Sequence, residues 1–555
     1  MSTAIPQLPE IIARASHAFG VLNDVGLLSP RFMLSMARGI FETGPSTASG
    51  VIGGHYYRGD EASIIDDAGT TSFAELRSRS LSIAQGLRAA GVGPGHNVAI
   101  LARNHCGFVE ATTATALLGA DSLFLNTGFA GPQLEDVLER EGAGTLIYDQ
   151  EFSEVVERGA SELQRFLSWT DGDPAVPTLD HLVRENAPTL PPKPAKVGRA
   201  TILTSGTTGT PKGANRSSAS SDLKGMIGFF ERMPFRVGET MLVCAPTFHA
   251  WGLVNFAMGN LFANTLVLQR RFDPERVLQA IEEHRVESLA VVPVMLNRIL
   301  ALEPAVIQKY DTSSLRRVGC SGSALPGELA LRWMNTFGDN LYNMYGSTEV
   351  SVTTIAIPSE LRAAPGTAGR PPLGTTVCIY GDDDKPVPHG TTGRIFVGNS
   401  QQFEGYTGGG GKKMLDGLMS IGDVGHFDRN GLLFVEGRDD DMIVSGGENV
   451  FPAEVEDLLS NHPALLEVAV IGVDDEAFGQ RLKAFVVLHQ GQSLSETDAK
   501  TYVKDHLARH KVPRDVVFLD ELPRNPTGKV LKRVLRELGE RDSPGEALRP
   551  TPETH

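Results

Sequence analysis

The chain has 555 residues, more than a single hydrophobic core usually supports, so two or more domains are expected. Hydrophobic residues make up 41% and charged residues 21% of the sequence, the composition of an ordinary globular protein. The net charge of −16 argues against nucleic acid as the main partner, because phosphate backbones select basic surfaces. A small nucleotide needs only local positive charge and stays compatible with this balance.

The segment from Phe19 to Phe41 is largely apolar and is predicted to form a helical segment packed on the body of the protein. Charged residues and Pro30 interrupt it, and no apolar run in the sequence is long enough to span a bilayer. A peripheral contact with a membrane surface is the alternative interpretation. The sequence does not open with the basic, apolar and small-residue pattern of a secretory signal.

The cysteines are scattered, without the spacing of metal ligands: Cys106, Cys244, Cys320 and Cys378. Each lies among apolar or small residues and is predicted to be a buried free thiol. Free thiols are typical of a reducing compartment, so a cytoplasmic protein is expected, with peripheral membrane association as the alternative.

Helix and strand patterns alternate through the first half of the chain. Ser72 and Glu75 form a capping-box pattern that opens a helix at Phe73, and the glycine-rich cluster from Gly91 to Gly95 ends this helix. Further strand and helix patterns cover 97–101, 108–118, 121–125, 278–284 and 288–292. Such alternation is typical of a parallel sheet covered by helices, so the predicted fold class is α/β.

A loop of glycines and hydroxyl side chains follows the buried strand predicted from Ala200 to Leu203. Its residues are Thr204, Ser205, Gly206, Thr207, Thr208, Gly209 and Thr210, followed by Pro211 and Lys212. Glycines let backbone N–H groups turn toward an anion, hydroxyls donate hydrogen bonds, and a lysine adds positive charge. The loop is not a Walker A motif, which needs glycine directly before the lysine. Taken alone, the stretch fits a phosphate loop and a flexible linker equally well.

A domain boundary is predicted at 438–441. A strand pattern at 432–436 precedes it, and a compact α+β unit follows, with a helix opened by Pro452 and a last strand at 516–519. The predicted division is a large domain over 1–437, a connection over 438–441 and a small domain over 442–540. Residues 541–555 mix Pro, Glu, Arg and Thr without periodicity and are predicted to be a disordered tail.

Four further motifs follow the glycine-rich loop. They are Asn-Met-Tyr-Gly-Ser-Thr-Glu at 343–349, Gly-Asp at 422–423, Gly-Arg-Asp-Asp-Asp at 437–441 and Asn-Pro-Thr-Gly-Lys at 525–529. With the loop, they resemble the adenylate-forming superfamily, which includes acyl-CoA synthetases, aryl-CoA ligases, peptide-synthetase adenylation domains and beetle luciferase. The resemblance runs from the helix at Phe73 to the vicinity of Leu538, and motifs in register over that length are very specific.

The resemblance implies a large N-terminal domain of helix-covered sheets and a small α+β C-terminal lid that rotates about a hinge at Asp440. It implies an ATP-dependent acyl-CoA synthetase that needs Mg²⁺. In that reaction a carboxylate attacks the α-phosphorus of ATP, pyrophosphate leaves, and CoA takes the acyl group from the adenylate and releases AMP. A homodimer is left open.

Adenylation requires an anion to approach a polyanion, so it calls for preorganised cations and N–H donors. The resemblance assigns the β- and γ-phosphates to the loop from Thr204 to Lys212, and the carboxyl and α-phosphate oxygens to Lys529. It assigns Mg²⁺ to Glu349, since magnesium on phosphates takes one or two carboxylates. Thr204, Glu349 and Lys529 are therefore the predicted catalytic residues. Taken alone, Glu349 would be a solvated loop glutamate and Lys529 a surface lysine.

For the nucleoside, Tyr345 would offer a stacking surface, and Asp423, assisted by Arg438, would accept hydrogen bonds from both ribose hydroxyls. The rest of the predicted nucleoside site is Gly322, Ser323, Ala324, Gly346 and Thr348. Taken alone, Tyr345 would be a core tyrosine. The family usually has Thr before the Gly-Asp pair, where this chain has Ile421; little effect is expected because Asp423 is retained.

Ser445, Gly446 and Gly447 resemble the loop that lines the pantetheine channel after the lid has rotated. On the acyl side, 246–252 has the Phe-His pattern of acyl- and aryl-CoA synthetases. It lacks the aspartate with which amino-acid-activating relatives pair the substrate ammonium. His249 and Trp251 would gate a fatty-acyl tunnel, or Trp251 would close a short pocket.

The segments 322–326 and 125–129 resemble bacterial fatty-acyl-CoA synthetases, so a medium- to long-chain fatty acid is the expected substrate. A substituted benzoate or cinnamate is the alternative. Two other classes stay open. One is an adenylating enzyme that loads a separate carrier protein. The other is a non-catalytic nucleotide-binding relative, which would be expected to have lost Lys529 or Glu349.

Overall fold

The structure, a computed structural model, describes residues 8–204, 212–215, 223–403, 405–406, 411–445, 448–475 and 479–540. Its first helices are α1 (Leu8–Val25), α2 (Pro30–Thr43), α3 (Thr47–Arg58), α4 (Phe73–Ala89), α5 (Cys106–Leu117), α6 (Gly131–Arg140), α7 (Ser153–Gly159), α8 (Leu179–Glu185) and α9 (Leu223–Arg232). The others are α10 (Ala250–Leu261), α11 (Pro274–Glu283), α12 (Pro293–Leu300), α13 (Pro304–Ile307), α14 (Gly327–Phe337), α15 (Pro358–Ala363), α16 (Pro452–Ser460), α17 (Glu496–His506) and α18 (Lys532–Glu540).

The first strands are β1 (Ala62–Asp66), β2 (Gly69–Ser72), β3 (Asn97–Leu101), β4 (Asp121–Phe124), β5 (Ala143–Asp149), β6 (Gln164–Trp169), β7 (Ala200–Thr204), β8 (Lys212–Asn215), β9 (Thr240–Val243), β10 (Thr265–Leu268), β11 (Ser288–Val291), β12 (Arg317–Cys320) and β13 (Leu341–Tyr345). The later strands are β14 (Thr354–Ala356), β15 (Thr376–Tyr380), β16 (Gly393–Gly398), β17 (Gly405–Tyr406), β18 (Met414–Leu415), β19 (Leu418–Phe427), β20 (Leu433–Arg438), β21 (Ile443–Ser445), β22 (Glu448–Val450), β23 (Leu465–Asp475), β24 (Gly479–Leu488) and β25 (Asp515–Phe518).

Two large sheets with parallel centres form the body of the protein. One has eight strands in the order β14-β13-β12-β11-β9-β10-β1-β2, and the other has seven in the order β17-β8-β7-β4-β3-β5-β6. Helix α5 contacts strands of both sheets, and every residue from Gly107 to Leu117 is buried. The α/β fold class predicted from the strand and helix alternation is therefore confirmed.

A third, antiparallel sheet joins β15, β16, β19 and β18, with β20 paired to β19. The sequence indicated only its last strand, at 432–436, and the structure extends that strand to Arg438. The other strands lack a strong alternation of buried and exposed residues, and β18 has only two residues. This sheet matters for the site because β19 and β20 carry Asp423 and Arg438 opposite each other.

Residues 443–540, the C-terminal unit, form a separate five-stranded sheet in which β25 runs parallel to β24. The unit has two hydrophobic clusters of its own. One contains Val455 and Val503, and the other contains Phe485 and Leu535. The small α+β unit predicted from the sequence is present, although its helix near 498–509 ends at His506. The rotation of this unit stays a prediction.

The N-terminal segment departs from the single helical segment that was predicted. Gly26 has a positive φ of 88°, and Pro30 opens a second helix, so the segment divides into α1 and α2. Helix α2 packs on α3 through its buried residues Phe32, Met36, Gly39 and Thr43. No helix among the described residues is long and apolar enough to cross a membrane.

The prediction that every cysteine is buried is correct for Cys244 and Cys320 only. Cys378 is partly buried, and Cys106 lines a cavity of about 410 Å³ between the β1–β2 hairpin, α4, α5 and β6. The ion pair of Arg79 and Glu110 forms part of the same wall. This cavity shares no residue with the predicted nucleotide site, so it is a separate feature.

Candidate functional site

Strands β7 and β8 form a hairpin that carries the ends of the predicted phosphate loop. Thr204 pairs with Lys212 across this antiparallel hairpin, and β7 lies next to β4 in the sheet. The described backbone therefore fixes both ends of the loop at the carboxyl edge of a parallel sheet. Ser205, Gly206, Thr207, Thr208 and Gly209 lie outside the described residues, so their contact with phosphate stays a prediction.

Tyr345, Asp423 and Arg438 come together from two different sheets. Tyr345 ends β13, and its hydroxyl donates to Asp423 Oδ2 over 2.5 Å. Arg438 Nη1 lies 3.6 Å from Asp423 Oδ1, because the two residues face each other in the β19–β20 register. Burial, and then the Asp423 carboxylate, raise the pKa of Tyr345 well above its usual range, so the phenol remains a donor.

The motif that ends in Lys529 folds into a tight turn around one side chain. Asn525 Oδ1 accepts hydrogen bonds from the Thr527 amide (3.0 Å), the Thr527 hydroxyl (2.6 Å) and the Lys529 amide (2.9 Å). Gly528 has a φ of 82°, in the left-handed region that favours glycine. The residue types in Asn-Pro-Thr-Gly-Lys are therefore those that this turn requires.

The C-terminal unit holds this turn against the body of the protein. A Cβ on Gly128 would lie 2.7 Å from Pro526 Cγ, and one on Gly528 would lie 2.9 Å from Val294 Cγ1. Asn297 Nδ2 on α12 also donates to the Leu466 carbonyl on β23 over 2.9 Å. Asn297 was not predicted, because a lone asparagine on a short helix has no distinguishing sequence pattern.

These contacts place the Lys529 ammonium among the predicted site residues. Burial and the positive charge of Arg438 lower the pKa of Lys529, whereas the carboxylates of Asp423 and Glu349 act in the opposite direction. Burial and then the Lys529 charge lower the pKa of His249 to about 4, so this imidazole is neutral near pH 7. Lys529 is thus electrostatically linked to the predicted metal, ribose and acyl residues at once.

The loop after β13 presents Gly346, Thr348 and Glu349, all partly buried. The Ser351 amide donates to the Ser347 carbonyl over 2.8 Å, and the Phe403 amide donates to the Glu349 carbonyl over 2.7 Å. Gly322 follows β12 and is partly buried, while Ser323 and Ala324 are exposed. The structure therefore leaves the predicted nucleoside residues accessible at the edges of β12 and β13.

Trp251, which is predicted to line the acyl site, is buried and hydrogen-bonded. Its side chain is only 4% exposed, and its indole N–H donates to the Val291 carbonyl over 3.0 Å. A Cβ on Gly319 would lie 2.9 Å from Cζ2 of the same indole. The ring therefore fills the space beside the ends of β11 and β12 that a side chain at Gly319 would otherwise occupy.

A buried asparagine that sequence reasoning missed holds the chain leading to His249. Asn104 Nδ2 donates to the carbonyls of Val243 and Ala245, both over 3.0 Å. Its Oδ1 accepts from the amide and the hydroxyl of Thr247, both over 2.9 Å. Asn104 follows a predicted strand, and a polar residue at a strand end was the available signal.

The predicted hinge, Asp440, lies in a 3₁₀ turn, Asp439–Asp441, between β20 and β21. Asp441 Oδ2 pairs with Lys532 Nζ over 3.2 Å, which ties this turn to α18. Ser445 ends β21, whereas Gly446 and Gly447 lie outside the described residues. Their place in a pantetheine channel stays a prediction.

No group of three or more His, Cys, Asp or Glu side chains among the described residues could hold a metal ion by itself. Magnesium bound to phosphates needs only one or two carboxylates and keeps several waters. Glu349, whose carboxylate affects the pKa of Lys529, could serve as the single protein ligand of such a phosphate-bound magnesium ion. A metal held by protein ligands alone would need more carboxylates than this.

Comparison with known proteins agrees with this geometry. Residues 55–407 match the family described as AMP-binding enzyme, and residues 454–529 match the AMP-binding enzyme C-terminal domain. A feruloyl-CoA synthase of Amycolatopsis sp is 34% identical over 484 residues, covering 86% of this chain and 95% of the relative. A fatty acid–[acyl-carrier-protein] ligase of Streptomyces coeruleorubidus is 31% identical, covering 85% of this chain and 92% of the relative.

Among solved structures, o-succinylbenzoate CoA synthetase from Bacillus subtilis, bound to its acyl-adenylate intermediate, has a TM-score of 0.75 and 27% identity. The match covers 90% of this chain and 99% of that chain. These similarities extend over both the body and the C-terminal unit. The chain therefore belongs to the AMP-binding enzyme family of the adenylate-forming superfamily, and it is an acid–thiol ligase that uses ATP, Mg²⁺ and CoA.

Proposed function

We propose that the protein converts a compact aromatic or arylalkanoic acid into its CoA thioester through an acyl-adenylate. The observation that carries this proposal is the fixed position of Trp251 against Gly319 and the Val291 carbonyl. A gate into a long tunnel must move, but this indole is buried and hydrogen-bonded. It therefore acts as the end wall of a short pocket, where a flat ring fits better than a long alkyl chain.

The aromatic relatives support the same interpretation. Feruloyl-CoA synthase and o-succinylbenzoate CoA synthetase are named for acids that carry an aromatic ring. In this chain, Phe248 is buried and His249 is neutral near pH 7, so neither of these two residues adds a positive charge to the predicted acyl side. Such surroundings favour an acid whose only charge is its carboxylate.

In the adenylation step, Lys529 binds the substrate carboxylate and the α-phosphate oxygens, where negative charge is redistributed in the transition state. Thr204, Lys212 and the loop between them hold the β- and γ-phosphates. Glu349 holds Mg²⁺, which supplies additional positive charge to the phosphates. The position of the 525–529 turn, against Gly128 and Val294, supports the role of Lys529, as do the effects of the Asp423 and Glu349 carboxylates on the pKa of Lys529.

For the nucleoside, Asp423 accepts from the ribose, and the Tyr345 hydroxyl fixes the orientation of its carboxylate. Tyr345 thus combines the predicted stacking surface with a positioning hydrogen bond. Arg438 lies at the same carboxylate, with Nη1 3.6 Å from Oδ1. Small residues at Gly322, Ser323 and Ala324 give the adenine room beside the backbone.

Thioester formation would use a different position of the C-terminal unit, since the 525–529 turn now lies against Gly128 and Val294 with Lys529 placed for adenylation. Rotation at Asp440 would carry Lys529 out and bring Ser445, Gly446 and Gly447 toward the site. The thiol of CoA then attacks the acyl carbon, and AMP leaves with the bonding electrons of the mixed anhydride. No protein nucleophile is needed.

A medium- to long-chain fatty acid is the second candidate. It is supported by the carrier-protein ligase of Streptomyces coeruleorubidus, which is named for a fatty acid. The resemblance of segments 125–129 and 322–326 to fatty-acyl-CoA synthetases also supports it. That relative also makes a carrier protein the alternative acceptor. A tunnel would require Trp251 to move.

An acid panel separates these candidates. AMP release is measured for benzoate, cinnamate, phenylacetate and saturated acids of increasing length, with CoA or with a pantetheinylated carrier protein. The proposal predicts CoA-dependent release with aromatic acids, a sharp size optimum and little release with long alkyl chains. It is wrong if kcat/KM rises about fourfold with each added methylene, the increment expected from about 0.8 kcal/mol per buried CH₂.

A further inference from the structure

Helix α2 presents a row of apolar side chains that nothing in the described structure covers. The row, here called the α2 stripe, consists of Met33, Leu34, Ala37, Ile40 and Phe41. Phe41 is 80% exposed and Leu34 is 72% exposed. These residues recur at intervals of three and four, so they share one side of the helix.

The stripe is not needed to hold α2 on the protein. The opposite side of the helix, with Phe32, Met36, Gly39 and Thr43, is the one buried against α3. The helix is therefore apolar on two sides, and only one of these sides packs against the rest of the described protein. Large exposed apolar surfaces of this kind mark interaction sites in folded proteins.

Positive charge borders the stripe in a protein whose net charge is −16. Arg31 and Arg38 lie along one edge, and both are exposed. Arg38 also forms an ion pair with Glu42 of the same helix over 3.1 Å. Lys193 lies at the C-terminal end of the helix, where its Nζ donates to the Phe41 carbonyl over 3.0 Å. The same ammonium is 5.9 Å from the centre of the Phe41 ring.

The stripe also lies before the region that the family model matches, which begins at residue 55, after α2. That match therefore does not include the exposed face of α2.

We propose that the α2 stripe docks the protein on an anionic lipid surface. Phe41, Leu34 and their neighbours would enter the boundary between headgroups and acyl chains, while the bordering Arg and Lys side chains contact lipid phosphates. An apolar face bordered by cations is the pattern of helices that lie in the plane of a membrane surface. Docking of this kind is reversible and needs no spanning helix.

A second copy of the chain is the less favoured occupant. The stripe offers five side chains, whereas stable interfaces use roughly 20 residues from each partner.

The test is co-sedimentation of the full chain with vesicles of phosphatidylcholine alone or mixed with phosphatidylglycerol. The wild-type protein is expected to sediment with the mixed vesicles, to bind neutral vesicles much less, and to be released by high salt. The double variant Leu34→Ser/Phe41→Ser should bind about tenfold less or weaker still, because its aromatic and aliphatic anchors are gone. Arg38→Gln should weaken binding about fivefold.

The matched control is Leu373→Ser/Phe518→Ser, which makes the same kind of change at exposed positions elsewhere on the surface. It should sediment like the wild type. The proposal is wrong if the wild type stays in the supernatant with both vesicles, or if the Leu34/Phe41 variant sediments unchanged. It is also wrong if sedimentation velocity without lipid finds a wild-type dimer that the Leu34/Phe41 variant converts to a monomer, since the stripe would then join two copies.

Discussion

At the scale of single residues, the proposed function makes Trp251 the residue that limits the length of the acid. Replacing it with alanine removes the end wall, so Trp251→Ala should activate longer alkyl acids that the wild type ignores. The loss of a buried tryptophan should also lower the free energy of unfolding by about 3–5 kcal/mol. Acid-dependent ATP–pyrophosphate exchange with a chain-length series measures the first effect, and denaturant unfolding measures the second.

Trp333 offers a matched control for this substitution. It is also buried, and its indole N–H donates to Asn340 Oδ1 over 3.1 Å rather than to a residue of the predicted acyl side. Trp333→Ala should lose comparable stability without any change in the preferred acid. If both variants kept the wild-type chain-length profile, Trp251 would not be the end of the pocket.

His249 reports on whether Lys529 occupies the site in solution. Burial and the Lys529 cation both disfavour the imidazolium, which lowers the pKa of His249 from an ordinary value of about 6.5 to about 4. Lys529→Ala removes one of these effects, so it should raise the His249 pKa. Histidine NMR signals followed from pH 8 downward, with His249→Asn for assignment, measure the change.

The lowered pKa of His249 also determines how this residue makes the free energy of unfolding depend on pH. Between pH 6.5 and 4 the unfolded chain binds a proton at this histidine and the folded chain does not, so acidification across that interval favours unfolding. A His249 signal that titrates near 6.5 in the wild type, and is unaffected by Lys529→Ala, would show that the C-terminal unit does not hold Lys529 at the site.

At the scale of elements, the best sequence predictions rested on local chemistry. Ser72 caps α4 as predicted, accepting from the Glu75 amide over 3.1 Å, and β3 has the predicted bounds of Asn97–Leu101. Local rules failed where long-range packing decides. The short antiparallel strands beside β19 have weak patterns of their own, and they become strands only because their neighbours supply hydrogen bonds.

The hinge prediction belongs to the same scale. Asp440 lies in a 3₁₀ turn, whose φ values near −60° are compatible with proline. Asp440→Pro should therefore preserve the present arrangement and ATP–pyrophosphate exchange, but resist the rotation needed for thioester formation. Asp440→Ala, which leaves φ free, should retain both half-reactions. A larger loss of exchange than of thioester formation in the proline variant would place the hinge elsewhere.

At the scale of the whole molecule, the site is assembled from parts that are distant in the chain. The motifs predicted which residues belong to it, and their order along the sequence predicted the superfamily. They did not predict that Tyr345 donates to Asp423, that Gly128 lies against the turn bearing Lys529, or that Asn297 donates to the Leu466 carbonyl. Those contacts depend on how the body and the C-terminal unit meet, and no local pattern encodes that arrangement.

The central claim is that this arrangement serves adenylation and that a different one serves thioester formation. The most direct test measures the two half-reactions of Lys529→Ala separately, with Lys500→Ala on α17 as a control for loss of a lysine from the same unit. We expect acid-dependent ATP–pyrophosphate exchange to fall by about a hundredfold or more, because a preorganised charge at the reacting phosphate is lost. Thioester formation from supplied acyl-adenylate and CoA should be largely spared. An equal loss of both half-reactions in a folded variant would contradict the claim.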